Sequence, residues 1–463
     1  MSENVINNDN DDIDDKEDNE DNEKNEESDK LLDSGTSHEN KCIKSIKIII
    51  GIILIILGDL IGIIISIFIM LLTADKSKKA IIAYIAHFFI MFIIISIFTY
   101  ISTCIMGARQ KKRIITGIIM FLIIYALTIA FLLCIFYLPV DYNDDFYKND
   151  NYWDLSTGSR IAYQKYGDNS SDYYPIISLH GGPGIPPNGK DLFGPDLASE
   201  GFIVYHYDQF GCGNSNRAKD PKEYTIERQV KDLEEIRKKI GVKKINLIGN
   251  SWGGTLAANY MAKYNENVNN TIFISPGPIW LGDNSYEQNK KEALEDFNNA
   301  IESNFRFHII LVILNFKYSE GLFYLIPEKN IDKLMMKTIN FHGKLDKERR
   351  GSNYTNSAPA GYGFWVSQLT QLSSVKEKFN YEDLDNSHTK CLIFKGEKDY
   401  LTWDTTILYR KKINDSTLIL IDEMGHTVEE EKYRKIVSQN IIYFLRNGST
   451  LREPYMELKD PWK

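Results

Sequence analysis

Cysteine is scarce in this chain. Its 463 residues include five cysteines, irregularly spaced. Cys42, Cys104 and Cys134 lie in or beside apolar runs, and only Cys212 and Cys391 belong to the remainder. There is no C-x-x-C pair and no Cys/His cluster at metal-ligand spacing, so neither a zinc module nor a disulfide framework organises the fold. Nothing in the sequence asks for a metal or another cofactor. Basic charge has no overall excess: 54 Lys and Arg stand against 63 Asp and Glu. The formal net charge is −9, and no basic stripe points to a nucleic-acid partner. Internal repeats are missing as well.

The negative charge is unevenly spread. Residues 1–40 carry sixteen Asp and Glu against three Lys, a balance of −13, so the rest of the chain sums to +4. So polar a segment has little apolar surface to bury, and residues 1–45 are expected to form a disordered acidic arm.

Three apolar runs follow, at about Ile46–Leu72, Ala80–Met106 and Ile114–Leu138. Each approaches or exceeds the roughly 20 residues needed to cross about 30 Å of hydrocarbon. They are too long for a signal-peptide core, and none starts at the first residue. Residues 46–138 therefore read as a three-helix membrane region with the lipid bilayer as partner. Gly51, Gly58, Gly62 and Ser66 share one face of the first helix. Gly58 and Gly62 form a small-x-x-x-small pair that suits close helix–helix association. Asp59 stands mid-span beside that face, where a carboxylate is costly.

From residue 144 the pattern changes to short β-branched runs alternating with amphipathic helices, the mark of a mostly parallel sheet with helices on both faces. Strands are expected at Arg160–Tyr166, Ile176–Leu179, Phe202–Tyr207, Lys244–Ile248, Thr271–Ile274, Cys391–Phe394 and Thr417–Ile421. Helices are expected at Ile226–Ile240, about Trp252–Tyr264 and about Glu429–Arg446. The core is thus assigned to residues 144–275 and 389–463. Residues 276–388 break the alternation and read as a helical lid. The apolar stretch Phe305–Tyr318 within it is too short for a fourth span.

The sharpest signal is Gly249-Asn250-Ser251-Trp252-Gly253, a G-x-S-x-G motif between an expected strand and an expected helix. Its glycines permit a tight turn that presents the Ser251 hydroxyl at a helix N-terminus, where backbone N–H groups favour negative charge. A serine nucleophile needs a base, and the base needs an orienting carboxylate. Asp399 follows the sixth expected strand and His426 the last one, giving the chain order Ser, Asp, His. Glu397 is the rival acid. The run His180-Gly181-Gly182-Pro183-Gly184 follows another strand. The N–H groups of Gly182 and Trp252 are candidates for the oxyanion hole.

These motifs, with Asp208-Gln209-Phe210-Gly211-Cys212-Gly213-Asn214-Ser215, resemble the proline iminopeptidase group of α/β hydrolases. The resemblance covers roughly residues 152–275 and 390–445 and leaves out the membrane region. It implies the α/β-hydrolase fold and release of an N-terminal residue, often proline, from short peptides by acyl-enzyme chemistry. It also implies lid carboxylates that bind the substrate amine, for which Glu292, Glu295 and Glu302 are candidates. Phe210 departs from the pattern, because members usually carry Arg there. The substrate is accordingly a small peptide or, on a second reading, an acyl ester near the membrane. A third reading, a non-catalytic binding protein, has no use for all three catalytic groups in register.

Orientation follows from Lys and Arg near the spans. With the N-terminus inside, the inner flanks hold Lys41, Lys44, Lys47, Arg109, Lys111, Lys112 and Arg113, and the outer flanks hold Lys76, Lys78, Lys79 and Lys148. Seven against four predicts a cytoplasmic tail and an extracytoplasmic or lumenal C-terminal domain. Protease added to sealed vesicles should then reach the tail or the domain, never both. Protection of both together would overturn this topology.

Overall fold

The computed structural model describes residues 14–140, 146–168, 170–187, 189–280, 304–315, 319–343, 361–376, 379–426, 428 and 430–455. Two compact units divide the chain between Leu132 and Leu133.

In the first unit, helix α1 runs over Asp14–Ser77, α2 over Ala80–Ile105 and α3 over Gln110–Phe136. Lys41–Ser77 of α1, all of α2 and all of α3 are long and apolar enough to cross a membrane. The backbone of α1 is helical from Asp14, where composition predicted an unstructured arm over 1–45. The physical reason is propagation. Once the apolar turns nucleate a helix, extending it into Asp- and Glu-rich sequence fixes one residue per added hydrogen bond.

The small-residue face of α1 is filled within the chain by α2. A Cβ on Gly58 would strike the Phe98 side chain, and one on Gly62 would lie 3.2 Å from Ile95 Cγ1. Ser102 Oγ donates to the Gly51 carbonyl at 2.6 Å. Met91, Ile95 and Phe121 form a small buried cluster with Phe88 and Tyr125 against it.

The second unit contains an eight-stranded sheet: β1 Tyr152–Asp154, β2 Arg160–Tyr166, β3 Ile176–Leu179, β4 Val204–Tyr207, β5 Ile245–Asn250, β6 Val268–Ile274, β7 Lys390–Gly396 and β8 Ser416–Ile421. Its order is β1-β2-β4-β3-β5-β6-β7-β8. Strands β3 to β8 are parallel, and β1 and β2 pair antiparallel at one edge. Strand β1 has only three residues, too few to show a period.

Helices α4 Gly194–Ser199, α5 Ile226–Ile240, α6 Trp252–Tyr264, α12 Trp403–Lys412 and α13 Glu431–Asn447 accompany the sheet. Local chemistry sets their ends. The Thr225 side chain accepts from Arg228 N–H at the start of α5, and Gly241 ends that helix at φ +81°. One core is built from Ile248, Ile272, Ile274, Phe394, Ile419 and Ile421 of the strands against Val437, Ile441 and Phe444 of α13. Each such burial contributes about 1.5–3 kcal/mol.

The insertion between β6 and β7 contains α7 Phe305–Leu314, α8 Leu322–Leu325, α9 Glu328–Gly343, α10 Phe364–Lys376 and α11 Glu382–Asp385. At ten residues α7 spans about 15 Å, half a bilayer core.

Candidate active site

Parallel strands deliver their next residues to one edge of the sheet, where binding sites of open α/β sheets lie. Ser251 follows β5, with φ +51° and ψ −120°. A non-glycine residue at positive φ costs on the order of 1–3 kcal/mol and persists only where its surroundings hold it. Here the crowding is specific. A Cβ on Gly249 would lie 2.6 Å from the Gly253 carbonyl carbon, and one on Gly253 would lie 2.7 Å from that of Leu179. Both glycines of the motif are thus required by backbone approach. Ser251 N–H donates to the Ile274 carbonyl at 3.1 Å, while the Ser251 carbonyl accepts from Gly254 and Gly277, each at 2.8 Å. Trp252 opens α6, so its N–H has no partner within the helix.

The loops after β7 and β8 are drawn together at Gly396, where a Cβ would lie 2.6 Å from the Gly425 carbonyl oxygen. Lys398 N–H donates to the Met424 carbonyl at 2.8 Å. Across this junction His426 Nδ1 bonds Asp399 Oδ1 at 2.7 Å. The pairing puts the Nδ1 proton toward the carboxylate and leaves Nε2 as the basic nitrogen. The Asp399 side chain is fully buried, and its other oxygen accepts from Lys395 at 2.9 Å. Burial alone would raise its carboxyl, but His426 and Lys395 together hold it well below the usual range. Glu397 instead accepts the Glu423 N–H, so the rival acid does not serve His426.

The glycine loop after β3 passes against Ser251. A Cβ on Gly181 would lie 3.3 Å from Ser251 Cβ. Gly182, at φ +120°, has no room for one, because it would meet Gly184 N at 2.6 Å. Gln209 braces this loop from several sides. Its amide nitrogen donates to the His180 carbonyl at 2.9 Å, its backbone N–H to His180 Nε2 at 3.1 Å, and its side-chain oxygen accepts from Trp252 Nε1 at 3.1 Å. Burial, reinforced by His206, pushes the His180 imidazole down to about 3, so it stays neutral.

Residues 174–433 match the family described as alpha/beta hydrolase fold. The chain belongs to the α/β-hydrolase family. It is a hydrolase that resembles proline iminopeptidases. A proline iminopeptidase of Saccharolobus solfataricus is 30% identical over 297 residues, 61% of this chain and 89% of that protein. Another, from Heyndrickxia coagulans, is 34% identical over 292 residues, covering 61% and 94%. The crystal structure of proline iminopeptidase from Mycobacterium smegmatis aligns with a TM-score of 0.42 at 20% identity, over 64% of this chain and 98% of that one.

Several residues around the hydrolase site were not singled out from sequence. Arg217 lies between two carboxylates of α9 in the insertion, with Nε 3.4 Å from Glu328 Oε1 and one terminal nitrogen 3.5 Å from Asp332 Oδ2. Asp332 Oδ1 accepts the Phe364 N–H at 2.7 Å, and Tyr224 OH donates to Glu328 at 3.2 Å. A spacing of four residues after Pro327 was the available signal, since it puts both carboxylates on one helical face. Phe210 lies under the Arg228 guanidinium of α5 at 4.6 Å. The insertion also closes on the glycine loop: Gly363 N–H donates to the Gly184 carbonyl at 2.9 Å, and Gly213 N–H to the Gly361 carbonyl at 2.7 Å. Glu292, Glu295 and Glu302 lie outside the described residues. Among the described residues, no cluster of His, Cys, Asp or Glu could hold a metal ion.

Burial is the largest influence on both α9 carboxyls and outweighs the attraction of Arg217. It pushes Glu328 from 4.5 up to about 7, and Asp332 from 3.8 up to about 6. Raised values favour the protonated form in the folded state. The resulting stability is fully present below the ordinary values and is lost as pH rises through the folded ones. Glu328→Gln removes its share of that dependence. The melting temperature of this variant should gain on that of the unaltered hydrolase between pH 4.5 and 7. A difference that stays flat over that window would contradict the burial argument.

Proposed function

We propose that this hydrolase is a membrane-anchored serine aminopeptidase of the proline iminopeptidase type, with Ser251, Asp399 and His426 as its triad. The observation that carries the reading is the His426 Nδ1 to Asp399 Oδ1 bond of 2.7 Å, at the sheet edge that bears the strained Ser251 turn. His426 Nε2 takes the Ser251 proton as Oγ attacks the carbonyl carbon of the substrate's first peptide bond. The N–H groups of Gly182 and Trp252 stabilise the tetrahedral oxyanion, an effect worth about 3–4 kcal/mol per donor. His426 then gives the proton to the leaving amine, and water hydrolyses the acyl-enzyme with His426 again as base. The three apolar helices tether the reaction to a bilayer, with the acidic tail cytoplasmic and the hydrolase unit on the far side.

A second reading, an esterase acting on acyl substrates near the membrane, is favoured by one observation. The lid helix α7 is apolar and exposes Phe305 and Val312.

The two readings differ in what binds beside the scissile bond. An aminopeptidase recognises a protonated amine, and a carboxylate in a low-dielectric pocket does so strongly. We assign that role to lid carboxylates, with Glu292, Glu295 and Glu302 as candidates. Free aminoacyl-arylamides, prolyl and alanyl among them, should be cleaved in strong preference to their N-acetylated forms. Neutralising at least one of these glutamates should raise KM. Equal rates on free and acetylated substrates, with brisk cleavage of aryl esters, would shift the assignment to the esterase.

A further inference from the structure

From Cys391 onward every residue of β7 is buried, and all are apolar or glycine except Lys395, which is fully buried. An ammonium group in such a place is costly unless its hydrogens are used. Lys395 Nζ donates to Asp399 Oδ2 at 2.9 Å and to the Leu401 carbonyl at 2.5 Å. Leu401 N–H returns a bond of 3.0 Å to Asp399 Oδ1, the oxygen that also meets His426. The two carboxylate oxygens are therefore divided. One belongs to the lysine, and the other is shared by the imidazole and a backbone N–H that the lysine itself helps to place.

We propose that Lys395 is a positioning residue of this hydrolase: it locks the Asp399 carboxylate toward His426 and shares the carboxylate's charge with the imidazole. The proposal rests on the triad reading given above. Asp399 is the acid that His426 faces directly. Tyr400 packs its ring 4.3 Å from the imidazole, Glu397 is engaged by the Glu423 N–H, and Lys398 pairs with Glu423 at the surface. Among the described residues, Lys395 is the cation within ion-pair distance of Asp399 apart from His426 itself.

Removing the lysine has two separable effects. A misplaced carboxylate lets the imidazole drift, and a displacement of about 1 Å can cost on the order of 10²-fold in rate. An undivided charge favours imidazolium, which moves the acid limb of kcat/KM to higher pH by about one unit. Full-length protein in detergent would be assayed as Lys395→Met, which removes both the bond and the charge, and as Lys395→Gln, which keeps a donor without the charge. Lys395→Met should lower kcat about 10- to 100-fold with KM nearly unchanged, and both variants should move the acid limb upward by a similar amount. Lys395→Gln should lose less kcat. An acid limb that stays in place in folded Lys395→Gln overturns the proposal, as does a Lys395→Met protein whose only change is a lower melting temperature. If Lys395→Met fails to fold, Lys395→Gln alone decides. Activity that survives Ser251→Ala, assayed in parallel, would overturn the nucleophile assignment instead.

Discussion

Positive φ at Ser251 is the constraint on which the site depends. The turn would relax if the strand before it or the helix after it could move, and the backbone prevents both. Gly253 is pressed against the Leu179 carbonyl and Gly249 against the Gly253–Gly254 peptide, so β3, β5 and α6 meet with no side chain between them. The parallel pairing of Ile177 with Leu247 and of Leu247 with Thr271 then ties the turn to the centre of the sheet. Local strain of a few kcal/mol is held by a core whose buried side chains each contribute a comparable amount.

Polar braces extend this rigidity outward. Gln209 joins the glycine loop to the Trp252 indole, so the two segments that carry candidate oxyanion donors share one side chain. Asp208 next to it accepts from Tyr147, and Asn214 reaches the Tyr147 carbonyl, so the segment that enters the hydrolase unit is bound to the same loop. Arg217 connects that loop to α9 of the insertion. The insertion is thus fastened by ionic and hydrogen-bonded contacts as well as by apolar packing, and burial raises two of its carboxyls. Lys395 plays a corresponding part beneath the acid: a buried charge whose placement makes sense only in relation to Asp399.

Where the sequence carried a period or an obligatory residue type, it was readable. The G-x-S-x-G turn sits between β5 and α6 because strand and helix patterns abut at Ser251, and Ile226–Ile240 has both its cap and its terminating glycine. Asp399 and His426 were singled out from chain order and strand ends alone, and the structure pairs them at 2.7 Å. What escaped lacked such a signal. Three residues of β1 cannot show alternation. Helix α1 extends into polar sequence before its apolar span, an effect that composition does not register. Arg217 pairs with residues more than a hundred positions away, and Lys395 looks from sequence like an outward-facing strand residue. Only the tertiary fold shows that its ammonium group turns to Asp399.

The central claim is that Ser251 is the nucleophile. A fluorophosphonate probe applied to the full-length protein, followed by digestion and mass mapping, tests it most directly. The account predicts a single covalent adduct on Ser251, absent in Ser251→Ala and formed far more slowly in His426→Ala. An adduct on another residue, or labelling that persists in Ser251→Ala, would contradict it.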